Sequence, residues 1–386
     1  MYPTISDLIN DIFGTSLTLP IQSFGFFVAL SFLIGSWIMK IEFKRKEKEG
    51  LMLPVIEKIR KGAPAGIFEL IMVALIAFLV GYKVSGAIID YSTFSDNTQE
   101  YILSLQGNIW GGLLIAAAFA FYRYWDKNRK KLPEVVWEDV TVHPYEHAGN
   151  ILIIAAIAGL LGAKLFDCLE NIDRLISDPV DTLFSFMGLT FYGGLIIGSF
   201  SVLVFARRKK MNIIHLLDVA APAILLAYAI GRTGCFISGD GCWGIVNLNP
   251  KPEWLAFLPD WMWAYNFPHN VINEGIAIDH CTGKYCTVLE YPVYPTAFYD
   301  MVTYGFVFSV LMMLRKKIHI PGMMFSLFLI IYGAQRFMME LIRVNNKYNV
   351  FGLRFTQAEL ISVFMIIAGI SGIWFFRKRW KNQTGK

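Results

Sequence analysis

An arginine and an aspartate lie eight residues apart in the glycine-rich stretch from Gly231 to Gly244. Arg232 and Asp240 are accompanied there by five glycines. Glycine lets the backbone approach a ligand closely, and a guanidinium group binds a phosphate through two parallel hydrogen bonds. Because the stretch follows a long apolar run, where an unpaired arginine is costly, it predicts a site for an anionic group.

A second arginine–acid pair lies at Arg336 and Glu340. Tyr332 precedes Arg336 by four residues, so the three side chains are expected on one helix face, where Arg336 and Glu340 can pair. The alternative is a pair that snorkels to a membrane surface without a functional role. Tyr299 and Asp300 add a hydroxyl and a carboxylate to the candidate groups.

The composition predicts the elements that position these residues. The chain has 386 residues, of which 55% are hydrophobic, and a mean hydropathy of +0.48. These values and recurring apolar runs are typical of membrane proteins. We therefore predict an all-α polytopic membrane protein in one domain, 1–386, with about nine transmembrane helices. The nine segments are 21–39, 67–89, 108–125, 150–168, 189–205, 213–230, 295–314, 322–341 and 358–376.

The loop charges predict the orientation of these segments. Basic clusters follow segments one, three, five, seven and nine, whereas acidic residues follow segments two and four. Under the positive-inside rule, the N-terminus lies outside and the C-terminus lies in the cytoplasm. This topology places Arg232, Asp240 and the long 240–294 segment on the outer face.

Four cysteines and one aspartate raise separate expectations. The cysteines of the predicted outer face are Cys235, Cys242, Cys281 and Cys286. An oxidising compartment allows disulfides, and Cys281 and Cys286 can close a small loop, whereas the alternative is a zinc site. Asp218 lies inside the sixth segment, where a buried carboxylate is expected to have a partner.

Residues 67–131 resemble residues 148–212. A Gly-x-Lys motif recurs at an offset of 81 residues, and Trp110-Gly-Gly recurs as Tyr192-Gly193-Gly194 at an offset of 82. Because the unit is a hairpin of two segments, the copies share one orientation, unlike the inverted repeats of many transporters. The alternative is chance matching between apolar segments.

Over about four-fifths of its length, the chain resembles the prolipoprotein diacylglyceryl transferase family. The 231–244 stretch matches the family's Gly-Arg-x-Gly-[Asn/Cys]-Phe motif and the acidic residue after it. The Tyr-Pro-Thr stretch that ends at Asp300 resembles Pro-[Ser/Thr]-Gln-x-Tyr-Glu, and the 332–343 stretch also fits the family.

The resemblance implies a reaction and its setting. Phosphatidylglycerol would donate its diacylglyceryl group to the lipobox cysteine thiol of a preprolipoprotein, giving a thioether and glycerol phosphate. The implied partners are phosphatidylglycerol, preprolipoprotein signal peptides and membrane lipid, and no nucleic acid. No metal or other cofactor is implied. The implied location is the bacterial inner membrane, with a multi-pass chain and an active site at the outer face.

The resemblance also implies roles for individual residues. Arg232 would hold the lipid phosphate. The other expected substrate-binding residues are Gly193, Gly194, Tyr299 and Tyr332. The expected catalytic residues are Tyr192, Asp240, Arg336 and Glu340. The family usually has a histidine where this chain has Tyr192. We therefore expect Asp240, Glu340 or the field of the arginines to activate the thiol.

A second departure is the hairpin at 67–131, which is additional to the usual seven helices of the family and is expected to be structural. Two other functions stay open at this point. A non-catalytic paralogue would bind lipid or lipoproteins, and a transporter would carry charged residues near the middle of the membrane.

Overall fold

The computed structural model describes residues 1–96, 98–184, 190–345, 348–350 and 353–384. A long helix occupies each of the nine predicted segments of the described chain. These helices are α2 (Ser23–Lys48), α3 (Ile67–Ile89), α6 (Ile109–Arg129), α7 (Ala148–Glu170), α10 (Phe191–Arg208), α11 (Ile213–Ser238), α12 (Thr296–Leu314), α13 (Met323–Glu340) and α14 (Gln357–Thr384). The shorter helices are α1 (Ile5–Phe13), α4 (Tyr91–Asp96), α5 (Thr98–Leu103), α8 (Ile172–Ser177) and α9 (Pro179–Phe184).

Six of the described helices are long and apolar enough to cross a membrane. They are α2, α3, α7 with the turn before it, α11, α12 and α14. The chain is therefore a multi-pass, mainly helical membrane protein. A membrane span at α6, α10 or α13 stays a prediction, as does the predicted topology.

The described residues also form three short antiparallel sheets, which were not part of the sequence prediction. The strands pair as β1 (Val55–Lys61) with β2 (Val136–Val142), β3 (Ile276–Ala277) with β4 (Thr287–Val288), and β5 (Tyr348–Val350) with β6 (Leu353–Phe355). In the first sheet, Val55 lies opposite Val142 and Lys61 lies opposite Val136. Several β-branched residues favour the paired conformation in both strands.

The chain divides into two compact units. The first comprises 1–52, 147–152 and 206–386. Its core is built around α11, whose Ala221 and Leu225 pack in one cluster with Tyr304 and Leu311 of α12 and Phe328 of α13. Helix α11 therefore lies at the centre of the first unit, and its packing against α12 and α13 fixes the position of its C-terminal end.

Helix α2 runs antiparallel to α11 inside the first unit. At one end, an added Cβ at Gly234 would lie 2.9 Å from Cβ of Phe27. At the other end, Lys46 Nζ lies 3.2 Å from Asp218 Oδ2. The Asp218 carboxylate also accepts from the backbone N–H groups of Gly322 at 2.9 Å and Phe325 at 3.1 Å. The expectation that Asp218 has a partner is confirmed.

The 240–294 segment carries a small aromatic cluster. Phe236 at the end of α11 lies 5.5 Å from Trp261 and 6.0 Å from Phe267, measured between ring centroids. Cys281 and Cys286 form a disulfide, a pairing that the sequence allowed but left open. Because the two sulfur atoms are bonded to each other, this pair has no free thiols to offer as zinc ligands.

The second unit comprises 53–146 and 153–205 and contains two helical hairpins. An added Cβ at Gly81 would lie 2.7 Å from Cβ of Ile115, and one at Gly162 would lie 2.5 Å from Cβ of Ile197. The two contacts are equivalent under the offset of the sequence repeat, since α3 meets α6 as α7 meets α10. This equivalence supports the proposed duplication.

Replacing Gly162 by alanine is expected to destabilise the α7–α10 hairpin. The new Cβ would lie 2.5 Å from the Gly193 carbonyl oxygen and from Cβ of Ile197, so backbone must move. Such overpacking costs about 1–3 kcal/mol of unfolding free energy. Thermal unfolding of the purified protein in detergent measures the loss. Gly149→Ala on the same helix is the control, since no atom lies within 4 Å of its added Cβ. Equal unfolding temperatures for the two variants would contradict the packing argument.

Candidate anion-binding site

Three helix ends of the first unit meet around Arg232, and a fourth helix packs against one of them. Arg232 lies in the last two turns of α11, and Asp300 lies in the second turn of α12. Arg336 and Glu340 lie in the last two turns of α13. Helix α14 packs closely against α13, since a Cβ added at Gly333 of α13 would lie 2.8 Å from the Ser362 carbonyl oxygen of α14. The separate motifs of the sequence therefore converge at one end of the unit.

Arg232 is buried and forms an ion pair with Asp300. Its Nε lies 2.9 Å from Asp300 Oδ2, although the two atoms are not aligned for a hydrogen bond. Gln335 Nε2 donates to the other oxygen of Asp300 at 2.7 Å, and the Tyr304 hydroxyl donates to Gln335 Oε1. A chain of buried polar groups thus fixes the carboxylate that faces the Arg232 guanidinium.

Arg336 and Glu340 pair along one face of α13, as the four-residue spacing predicted. Arg336 Nη2 lies 2.9 Å from Glu340 Oε2, and Asn345 Nδ2 donates to Glu340 Oε1 at 2.5 Å. The Glu340 side chain is 0% exposed and that of Arg336 is 20% exposed. A pair that merely snorkels to a membrane surface would keep its charged groups exposed, so the burial favours a functional site.

The two arginines keep N–H groups that the described residues do not satisfy. Arg232 Nη2 and Arg336 Nη1 are buried and have no hydrogen-bond partner in the described part of the chain. The Tyr228 hydroxyl lies within electrostatic range of both guanidinium groups, of Arg343 and of Asp300. Since a buried unsatisfied donor is costly, two such cationic donors in one cluster suit an anion with several acceptor oxygens.

Backbone contacts tie the glycine-rich stretch to the ends of α12 and α13. Gly244 forms an antiparallel bridge with Arg343, and the N–H of Gly244 donates to the Tyr294 carbonyl at 2.8 Å. The Thr296 hydroxyl donates to the Cys242 carbonyl at 2.7 Å. Gly244 is required here because an added Cβ would lie 2.4 Å from the Ile342 carbonyl oxygen.

Gly244→Ala is expected to lower the unfolding free energy by about 1–3 kcal/mol. The methyl group would separate the segment after α11 from the segment after α13, and the two arginine-bearing helix ends with them. Thermal unfolding is the measurement. Gly231→Ala is the control in the same stretch, since its added Cβ meets no atom within 4 Å. A Gly244→Ala protein that unfolds together with the control would show that the bridge is not needed.

Asp240 lies in a tight turn beside two cysteines. Its Oδ1 accepts from the N–H of Cys242 at 3.1 Å. Oxygen of Asp240 and the sulfur atoms of Cys235 and Cys242 lie within 4.8 Å of one another, and Arg232 Nη1 donates to Cys235 Sγ at 3.6 Å. A hydrogen bond from Cys235 and the nearby Arg232 lower the pKa of the Cys242 thiol below its usual value, although burial and Asp240 oppose this shift.

The two predicted tyrosines of the first unit occupy different surroundings. The Tyr299 hydroxyl donates to the Met262 carbonyl at 2.8 Å, so it connects α12 to the 240–294 segment. The Tyr332 ring lies 5.8 Å from that of Tyr228 and 5.3 Å from that of Tyr304. Tyr332 therefore lines the aromatic side of the cluster, whereas the substrate-binding role of each tyrosine stays a prediction.

Tyr192, Gly193 and Gly194 belong to the second unit. Added Cβ atoms would lie 2.4 Å from the Gly162 carbonyl oxygen at Gly193 and 2.9 Å from the Gly159 carbonyl oxygen at Gly194. The double glycine thus lets α10 approach α7 closely. This packing gives the glycines a structural role, and their substrate-binding role stays a prediction.

The structure adds residues to the site that the sequence prediction did not assign. The sequence offered Asp300 as a candidate carboxylate but did not predict its partner. Gln335, Tyr304 and Tyr228 were not predicted as site residues. Tyr228 lies four residues before Arg232, the same spacing that relates Tyr332 to Arg336, and this signal was available in the sequence. The Asp300–Gln335 contact depends on how α12 and α13 pack, which no local spacing reveals.

Comparisons with known proteins agree with the motifs. A family model described as prolipoprotein diacylglyceryl transferase matches residues 110–375. Relatives named phosphatidylglycerol–prolipoprotein diacylglyceryl transferase include one from Clostridium tetani, 30% identical over 58% of this chain and 79% of the relative. Another, from Erwinia tasmaniensis, is 31% identical over 70% of this chain and 89% of the relative. One from Burkholderia orbicola is 27% identical over 71% of this chain and 92% of the relative.

Proposed function

The chain belongs to the prolipoprotein diacylglyceryl transferase family, and we propose that its arginine cluster holds the phosphate of phosphatidylglycerol during transfer. The diacylglyceryl group passes to the lipobox cysteine thiol of a preprolipoprotein. The thiol sulfur bonds to a glycerol carbon of the lipid, the carbon–oxygen bond to the phosphate breaks, and glycerol phosphate leaves. The buried, unsatisfied N–H groups of Arg232 and Arg336 are the observation that carries this proposal.

The arginines act on the leaving group. The phosphate gains charge as the carbon–oxygen bond breaks, and fixed cationic donors stabilise such a change more than they stabilise the ground state. Asp300 and Gln335 hold the Arg232 fork, and Glu340 holds that of Arg336. Each guanidinium group keeps donors for the lipid oxygens, so the site is organised before the lipid binds.

Thiol activation is the second requirement. A free cysteine has a pKa near 8.5, so a base or a positive field must help to form the thiolate. Tyr192 is a poor base at neutral pH. We assign proton removal to Glu340 or Asp240, both carboxylates of the first unit, and assign to the arginines the field that favours the thiolate. Tyr192 would act as a hydrogen-bond donor.

We propose that all nine long helices cross the bacterial inner membrane, with the N-terminus outside and the C-terminus in the cytoplasm. Helices α11, α12 and α13 support this topology, since their predicted outer ends gather at the arginine cluster, and the predicted outer end of α2 packs beside Gly234 of α11. The Lys46–Asp218 pair lies at the opposite end of α11. The active site then faces the outer side, beside the 240–294 segment, where lipid and signal peptides meet it.

The 67–131 hairpin is proposed to be a structural duplicate of 148–212. The family match begins at residue 110, so the whole of the hairpin's first helix, α3, lies outside it. Trp110 stands where the second copy has Tyr192. The hairpin therefore lacks the hydroxyl that a second site of the same kind would need.

Incubation of the purified protein with phosphatidylglycerol and a lipobox peptide tests the proposed function. We expect a peptide product with the added mass of the diacylglyceryl group, linked through the cysteine, together with free glycerol phosphate. A peptide with serine in place of its cysteine is the control. A protein that binds lipid and peptide but yields no thioether would be a non-catalytic paralogue, and the proposal would be wrong.

A further inference from the structure

Two free thiols lie beside Arg232, and the transfer reaction does not explain them. Cys235 is buried in the last turn of α11, and Cys242 is half-buried in the loop that follows. Their sulfur atoms and an oxygen of Asp240 lie within 4.8 Å of one another. Because Arg232 Nη1 donates to Cys235 Sγ at 3.6 Å, the thiol pair and the guanidinium group form one cluster.

The turn between the cysteines brings the two sulfurs together. Gly239 and Gly241 have φ values of 65° and 86°, in the left-handed region that favours glycine. The N–H groups of Gly239 and Asp240 both donate to the Cys235 carbonyl, at 3.1 and 3.4 Å, so the chain folds back over the helix end. The sulfurs must approach by less than about 3 Å to reach the length of a disulfide bond.

The two thiols differ in a way that suits stepwise oxidation. Cys242 is the more accessible thiol, and a hydrogen bond from Cys235 and the nearby Arg232 lower the pKa of its sulfur, which favours its thiolate. The thiolate is the form that attacks disulfides. Cys235 is buried beside it, in the position of a thiol that completes the exchange. The 240–294 segment, which contains Cys242, already carries the Cys281–Cys286 disulfide.

We propose that Cys235 and Cys242 form a reversible disulfide that controls the Arg232 site. The Cys242 thiolate attacks the disulfide of an oxidant, either a small disulfide or an oxidised protein dithiol, and one thiol leaves. Cys235 then loses its proton and attacks Cys242 Sγ in the mixed disulfide, which releases the second thiol. Two protein thiols are oxidised to one disulfide, and the oxidant's disulfide is reduced to two thiols.

Oxidation changes the surroundings of Arg232. The Cys235 sulfur that accepts from Arg232 Nη1 becomes part of a disulfide, which is a weaker acceptor than a thiol or thiolate sulfur. Asp240 lies within the closed loop, so its position changes with the bond. The consequence for transfer rests on the proposed function, whereas the disulfide itself does not.

A zinc ion is the rival ligand for the same three groups. Two thiolates and a carboxylate are suitable zinc ligands. However, a divalent cation at this position would lie close to the Arg232 guanidinium, which already contacts Cys235 Sγ. The positive charge of Arg232 stabilises the reactive thiolate form but repels a second cation, so the disulfide is the better assignment.

Thiol mapping of the full-length protein in detergent tests the disulfide. The protein is equilibrated with mixtures of reduced and oxidised dithiothreitol, free thiols are alkylated after denaturation, and peptides are identified by mass spectrometry. We expect Cys235 and Cys242 to lose alkylation together and to appear as one linked peptide. Cys242→Ser should abolish this transition. Cys168→Ser, which changes the free thiol of the second unit, should retain it.

Three results would overturn the disulfide. The thiols could stay alkylated across the whole range of mixtures, or Cys242 alone could form a mixed disulfide. Protection that a chelator removes without reductant would instead mark a zinc site.

In the same samples, binding of phosphatidylglycerol should fall about tenfold on oxidation and recover with reductant. Unchanged binding by fully oxidised protein would disprove the control of Arg232, and an inactive reduced protein would count against the proposed function instead.

Discussion

Replacing Arg232 by lysine is expected to lower diacylglyceryl transfer about 10²–10³-fold, the usual loss when a fixed donor to a developing anion is removed. Lysine keeps the positive charge but has a single ammonium group in place of the planar fork. It cannot pair with Asp300 and also present separate N–H groups to a phosphate. The Asp300 oxygen that lies 2.9 Å from Arg232 Nε would lose that partner. The rate of thioether formation at saturating phosphatidylglycerol measures the effect.

Arg45→Lys is the matched control for this variant. Arg45 is also partly buried and contacts two carboxylates, Glu42 and Glu49, but it lies on α2 near the opposite end of the first unit. We expect its transfer rate to stay close to that of the unmodified protein. If the Arg232→Lys protein were as active as the Arg45→Lys protein, transfer would not depend on a guanidinium group at position 232.

Replacing Glu340 by glutamine is expected to lower transfer about 10²–10⁴-fold, the range in which general bases contribute. Glutamine has nearly the same shape and retains one acceptor oxygen, but it cannot take the thiol proton. It also weakens the contact that holds Arg336 Nη2 at 2.9 Å. Asp240→Asn is measured beside it, because Asp240 is the other carboxylate assigned to this step. Asparagine Oδ1 can still accept from the Cys242 N–H.

Glu42→Gln separates the loss of a base from the loss of a buried charge. Glu42 is 1% exposed and pairs with Arg45 at 2.8 Å and Arg315 at 2.6 Å, far along α2 from the arginine cluster. It should lose stability without a comparable loss of transfer in the protein that stays folded. Full activity in both Glu340→Gln and Asp240→Asn would refute carboxylate-assisted thiol activation.

Local patterns predicted the parts of the fold that depend on local chemistry. Apolar runs mark helices because backbone groups must pair within each segment when no water is present. The four-residue spacing of Arg336 and Glu340 predicted their contact for the same local reason. The β1–β2 sheet was missed because the basic residues Lys58, Arg60 and Lys61 were interpreted as a topology signal, and their partners in β2 lie 75 to 81 residues away in the sequence.

The remaining site contacts depend on packing between distant elements. Arg232 meets Asp300 only because α11 and α12 pack with their ends level, and Gln335 completes the contact from a third helix. Cys235 meets Cys242 because two glycines turn the chain back. Neither the spacing of seven residues between the cysteines nor that of 68 between Arg232 and Asp300 predicts such contacts.

Binding of phosphatidylglycerol, compared with diacylglycerol of the same acyl chains, tests the central claim most directly. The two lipids differ in the headgroup that Arg232 and Arg336 are proposed to hold. We predict that the protein prefers phosphatidylglycerol and that this preference falls about ten- to hundredfold in Arg232→Lys and in Arg336→Lys, with diacylglycerol binding unchanged. If both variants kept the full preference for phosphatidylglycerol, the arginine cluster would not be the phosphate site.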